Sequence, residues 1–259
     1  MRRLVLLLAL LAALPAQGQP APGLPMGLHA PGGELVAALP DGTMRRGADL
    51  AGATLDLGPR YGLLRIAEAR PDRLDRTGET WLYDLRRQDP TGAWTVPACE
   101  PAHDGVRAVI FLEASPGALE PHCANVNTAK CIRMGYAPWR SAPDGRALAP
   151  FHQACLRMLP AEYAGDGRFH TRNGMRIEIF DFAGVNDPEN EAGMPFEAGW
   201  TPDGAACVAH ARVPEITDMA ALAAAAPRLA EAGLLGPASC TEATARALGA
   251  LVFNRSVAE

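Results

Sequence analysis

The chain has 259 residues, 48% of them hydrophobic, and a formal net charge of −5. That length fits one large domain or two small ones with a real core. A modestly acidic chain is also a poor partner for nucleic acid or an anionic membrane surface.

Met1-Arg2-Arg3 forms a short positive segment, Leu4 to Leu14 is an uninterrupted apolar run, and Ala16-Gln17-Gly18 supplies small residues. This is the pattern of a Sec-type signal peptide, cleaved after Gly18 or, as the runner-up, after Ala16. The apolar run stops at Pro15, short of the roughly 20 residues needed to span a bilayer. No later segment has the length and apolarity of a transmembrane helix. The expected location is therefore periplasmic or secreted. Residues 19–33 are rich in Pro, Gly and Ala and read as a disordered leader. Residues 34–256 read as a single domain, β-rich over about 34–120.

From Leu35 to Trp94 the pattern is short strands between turns. Candidate strands are 53–57, 63–66 and 80–85, with turns at Asp41-Gly42, Asp89-Pro90 and Thr91-Gly92. Val106 to Leu112 is an apolar run suited to a strand buried on both faces. Pro150 can open a helix at its first position. Phe151, Ala154, Cys155, Met158 and Leu159 then form one apolar stripe, ended by Pro160, with His152 and Arg157 off it.

Asn173-Gly174 is the strongest hairpin signal, predicting strands over 169–172 and 175–179 with His170 pointing inward beside Ile177. Residues 196–200 and 206–213 are strand candidates around the turn Pro202-Asp203-Gly204. Thr217 or Asp218 caps a helix that Pro227 should break. Thr241-Glu242 opens a last helix through Leu248, Leu251 and Val252. The composite is α+β: a β-rich N-terminal half, a hairpin after a central helix, and a helical C-terminus.

The six cysteines are Cys99, Cys123, Cys131, Cys155, Cys207 and Cys240. An even number behind a signal peptide reads as structural disulfides, in a connectivity that sequence does not choose. Cys155, inside the apolar stripe, should face the core. No two cysteines have the close spacing of a zinc or thioredoxin-type site, so no metal and no cofactor is expected.

Glu162-Tyr163, Asp166 and His170-Thr171 place a carboxylate, a phenol and an imidazole in one segment, a possible acid–base set. The plainer reading is a loop leading to the hairpin with an inward, hydrogen-bonded His170. His210 reads as a satisfied sheet histidine. Residues 186–191 form an oxygen-rich loop without EF-hand spacing. Asn254-Arg255-Ser256 matches a glycosylation sequon that has no meaning in a bacterial host. G-x-S-x-G, H-E-x-x-H, P-loop and Rossmann patterns are all absent.

Two stretches carry a family resemblance. One is Cys123-Ala-Asn-Val-Asn-Thr-Ala-Lys-Cys131-Ile-Arg-Met-Gly135-Tyr136-Ala-Pro138-Trp139. The other is His152-Gln-Ala-Cys155-Leu-Arg-Met158 followed by Ala161-Glu162-Tyr163-Ala164-Gly165-Asp166-Gly167-Arg168-Phe-His170. With Phe196-Glu197-Ala198, the segment from Pro202 to His210 and Phe253-Asn254-Arg255-Ser256, they resemble the ADYC-domain proteins. These are exported bacterial proteins named for an Ala-Asp-Tyr-Cys motif. The resemblance runs from roughly Gly42 to Ser256. It implies export and no particular activity. Here the motif reads Ala161-Glu162-Tyr163-Ala164, so the signature cysteine is alanine. The resemblance also implies a cysteine where Ala226 stands, and the joint loss of two bridge partners would leave the even six. A non-catalytic exported domain with a binding or envelope-associated structural role is the leading expectation, with its partners unknown. The alternative is an envelope hydrolase using His170, Asp166 and Glu162.

Overall fold

The computed structural model describes residues 27–39, 41–75, 77–115, 117–189 and 193–258. The signal-like segment and residues 19–26 of the expected leader lie outside the described residues. The remainder of that leader is ordered. Gly27–His29 is a strand (β1) paired antiparallel with Val36–Ala38 (β2), and Pro31–Gly33 is a turn of 3₁₀ helix. Met44–Arg46 (β3) completes this small sheet. The Pro and Gly content that reads as leader serves tight turns here, because Gly32 and Gly33 take φ of 65° and 81°.

The next sheet is the β-rich half. Its strands are Thr54–Asp56 (β4), Leu63–Pro71 (β5), Trp81–Arg87 (β6), Val96–Pro97 (β7), Val109–Ser115 (β8) and Ala118–Cys123 (β9). The order is β4-β5-β6-β8-β9, with β7 also on β6. One face carries Leu55, Ile66, Tyr83, Leu85 and Phe111 into a core shared with the first sheet. The opposite face presents Leu82 and Ile110 to a helix, Asn127–Arg133 (α1), through Ala129 and Ile132. The turns are built from aspartates: Asp41, Asp75 and Asp89 each accept from the backbone N–H of the threonine two residues on.

The second half is a helix on a sheet. Ala149–Met158 (α2) buries Phe151, Ala154, Cys155 and Met158, as the stripe predicts. Its sheet contains Ile177–Asp181 (β10), Phe196–Thr201 (β11), Gly204–Val208 (β12) and Val252–Ser256 (β13), in the order β10-β13-β11-β12. Three short helices, Met219–Ala225 (α3), Pro227–Glu231 (α4) and Glu242–Ala247 (α5), lie between β12 and β13. Asp218 caps α3 by accepting from the Ala221 N–H at 2.7 Å. Thr241 caps α5 through the Thr244 N–H at 3.1 Å. The strand expected over 206–213 ends at Val208 and starts two residues earlier.

Two expectations fail for one shared reason. The Asn173-Gly174 turn forms, but residues 169–172 do not pair as a hairpin arm. The expected last helix stops at Ala247, and Gly249 at φ 83° turns the chain out of it. Leu251 and Val252 then lead into β13, which occupies the place beside β10 that the hairpin assigned to 169–172. All five β13 residues are buried, because the strand is flanked by β10 and β11. The C-terminus is therefore helical only up to its final, central strand.

All six cysteines pair with their sequence neighbours: Cys99–Cys123, Cys131–Cys155 and Cys207–Cys240. Cys131–Cys155 locks α1 to α2, so α1 packs on one sheet and is stapled to the helix covering the other. Three bridges are the mark of an oxidising compartment. Among the described residues no helix is long and apolar enough to cross a membrane. We expect peptide mapping without reduction to recover these three pairs. Replacing Cys131 and Cys155 together by alanine should cost roughly 2–4 kcal/mol of unfolding free energy in a denaturant titration.

Candidate functional site

The signature segment begins where α2 ends. Ala161 takes φ of 53°; its N–H donates to the Met158 carbonyl and that of Glu162 to the Arg157 carbonyl. This is the closing pattern of a Schellman turn, usually made by glycine. α1 ends the same way at Gly135, with Tyr136 N–H on the Cys131 carbonyl. Each turn delivers a buried tyrosine to a carboxylate of the β10–β13 sheet. The Tyr136 hydroxyl donates to Asp181 and the Tyr163 hydroxyl to Glu197, both at 3.0 Å.

Around Tyr163 the core is polar and satisfied. Arg212 is 1% exposed and grips Glu197, which is fully buried, through Nε and Nη2 at 3.0 Å each. The same guanidinium donates to the carbonyls of Met158, which also takes the Ala161 N–H, and of Leu159 at the end of α2. The Arg212 N–H donates to the Tyr163 hydroxyl at 2.9 Å. Asn254 donates to Glu197 at 2.6 Å and accepts from the Trp200 indole at 2.8 Å. Trp200 and His170 stack on Tyr163, with ring centroids 5.4 and 5.6 Å away. Burial, helped by the Glu197 charge, holds the Tyr163 phenol well above its ordinary value, so it stays protonated.

The sequence-derived acid–base residues separate in this setting. Glu162 is buried and accepts from Arg157 at 2.5 Å and from the Gly167 N–H at 2.6 Å. His170 is 8% exposed, with Nδ1 donating to the Ala161 carbonyl at 3.0 Å. Asp166 is exposed and paired with Arg168, which lowers its pKa. No hydrogen bond joins Asp166 or Glu162 to His170 among the described residues. Gly165 explains the tight turn: a Cβ there would meet the Asp203 carbonyl oxygen at 2.0 Å, so the signature loop lies backbone to backbone on the β11–β12 turn. Ala164 and Ala226, where the resemblance implies cysteines, pack against one common core.

Other candidates resolve into structural roles. His210 Nε2 lies 3.2 Å from the Ser256 hydroxyl. Asn186 donates to the Met134 carbonyl, and no group of three potential metal ligands occurs among the described residues. Asn254 is fully buried.

A different place is concave. A groove of about 730 Å³ runs along the seam between β8–β9 and the α1–α2 side, walled by Glu113, Glu120, His122, Trp139, His152 and Gln153 among others. His152 lies off the apolar stripe yet is only 2% exposed, because α2 is covered on two sides. Its Nδ1 meets the Tyr136 carbonyl at 2.9 Å. A carbonyl only accepts, so Nδ1 carries the proton and the Nε2 lone pair is left without a partner among the described residues. His122 Nε2 stands 3.3 Å from Glu120. Burial lowers the pKa of both imidazoles, and the charge of His122 lowers that of His152 further. Trp139 is held beneath the 3₁₀ turn, where a Cβ on Gly33 would lie 2.6 Å from its ring. Nothing in local pattern marks these residues; the signals were His152 and Trp139 inside the stretches that carry the resemblance.

The fold and its two sites define a disulfide-stapled α+β domain built on a buried ionic network, with a histidine-lined groove at its seam. A family model for the ADYC domain matches residues 47–214, and the chain belongs to that family. No curated protein and no solved structure matches it.

Removing one member of the buried pair strands the other. We expect Glu197→Gln to cost about 3–5 kcal/mol in a denaturant titration. The lowered pKa of His152 sets a second expectation. The unfolded imidazole takes up its proton near 6.5, before the folded one does, so stability is full above that value and declines as pH falls below it. Denaturant midpoints between neutral and mildly acidic pH should fall less in His152→Gln than in the wild type.

Proposed function

We propose that this chain is an exported, non-catalytic binding domain of the bacterial periplasm or extracellular space, and that the seam groove is its ligand site. The observation that carries the reading is His152, a buried imidazole with one nitrogen locked by a carbonyl and the other left open in a groove. Its volume falls in the range of small-molecule sites. The groove sits between elements braced by two disulfides, Cys99–Cys123 and Cys131–Cys155, so its walls are preorganised. The signal-like N-terminal segment and the three bridges support export.

The hydrolase alternative asks His170, Asp166 and Glu162 to act together. It has less support, because His170 is committed to a carbonyl and each carboxylate to an arginine.

Thermal-shift screening against panels of small amines, carboxylates and sugars tests the proposal, using the wild type and Gln153→Trp. Gln153 is exposed on α2 and lines the groove, so an indole there takes up ligand space. A true ligand at a hundredfold its Kd should raise the wild-type Tm by about 5–10 °C and leave Gln153→Trp unmoved. Equal stabilisation of both proteins overturns the groove assignment. Turnover of chromogenic esters that His170→Asn abolishes overturns the non-catalytic reading.

A further inference from the structure

We propose that the seam groove takes a small organic cation, a protonated amine or a guanidinium carried on an apolar body. This deepens the reading of the groove as a ligand site and rests on it. The chain has 24 lysines and arginines, yet none of the described residues lining the groove is one of them. Two carboxylates line it instead. Glu120 lines the groove with a side chain 54% exposed, and among the described residues its only ion pair is with His122. Glu113 is held ionised by the N–H groups of Ala30 and Gly117, at 3.0 and 2.9 Å, with His29 against it at the rim.

A second observation points the same way. His152 is almost wholly buried, and its open Nε2 is an acceptor because the proton sits on Nδ1. The groove thus offers two carboxylates and the Nε2 lone pair, with the buried Trp139 indole N–H, unpartnered among the described residues, beside them. The complement of the carboxylates and lone pair is a cationic ligand carrying N–H donors. Leu112, Pro138, Trp139 and Leu156 supply the apolar wall for the ligand's hydrocarbon part. One charge opposes the cation from nearby: Arg60, whose field reaches His122.

Calorimetric titration of the full chain tests this with phenethylammonium and benzamidinium against their uncharged isosteres, 2-phenylethanol and benzamide, and against phenylacetate. We expect the cations to bind about tenfold or more tightly than the isosteres, and phenylacetate not to bind. Glu120→Gln should weaken the cations about tenfold, Gln153→Lys should abolish their binding, and Gln153→Glu should tighten it. Both positions are exposed, so melting curves should match the wild type and separate charge from folding.

Cations that bind no better than the isosteres, or that ignore Gln153→Lys, overturn the proposal. If the isosteres or phenylacetate bind in a manner that Gln153→Trp blocks while the cations do not, the charge class falls and the groove reading stands. If no probe of any charge binds, both fall.

Discussion

Glu197 and Arg212 meet inside the protein with essentially no exposure, and much of the second half is arranged to make that tolerable. A buried ion pair is stable only when the remaining lone pairs and protons are also satisfied. Here the required partners come from the end of α2, the signature turn and β13. A one-residue slip of β13 would carry Asn254 to the opposite face and put Phe253 or Arg255 in its place, and neither can both donate to Glu197 and accept from the Trp200 indole as the amide does. Apolar contacts alone would tolerate such a slip far better. The network acts as a register lock as much as a source of stability.

The same logic explains the signature segment. Tyr163 is the hinge between a helix end and a sheet: its hydroxyl bridges Glu197 and the Arg212 backbone, and its ring stacks with both Trp200 and His170. Its carbonyl accepts from the Ala205 N–H and from Arg228. A motif that looks like an acid–base set in sequence is occupied here in three dimensions by hydrogen bonds to the frame.

The two halves meet through α1. Its Ile132 packs on the β4–β9 sheet, its Cys131 is bridged to α2, and its Arg133 is buried against Asp72 and Asp104 from the β-rich half. Side chains on three sides of one short helix therefore hold two sheets in a fixed relation. The groove lies along that seam, so its histidines come from different halves: His122 from β9 and His152 from α2. A site built in this way leaves no spacing for a sequence motif to record.

Local chemistry settled much of the outline. The apolar stripe of α2, the caps at Asp218 and Thr241, the break at Pro227, the aspartate turns and the strands β4, β5 and β6 were all readable, because each depends on residues within one or two turns of one another. The even cysteine count and their spacing pointed to bridges on the same footing. The tertiary structure decided which cysteines pair, which strand lies beside β10, and which carboxylate faces Arg212. Ile177 pairs with Ser256 and Glu197 with Asn254, partners separated by long stretches of chain. Such choices depend on the total burial and hydrogen bonding of the finished core, a quantity that no local pattern contains.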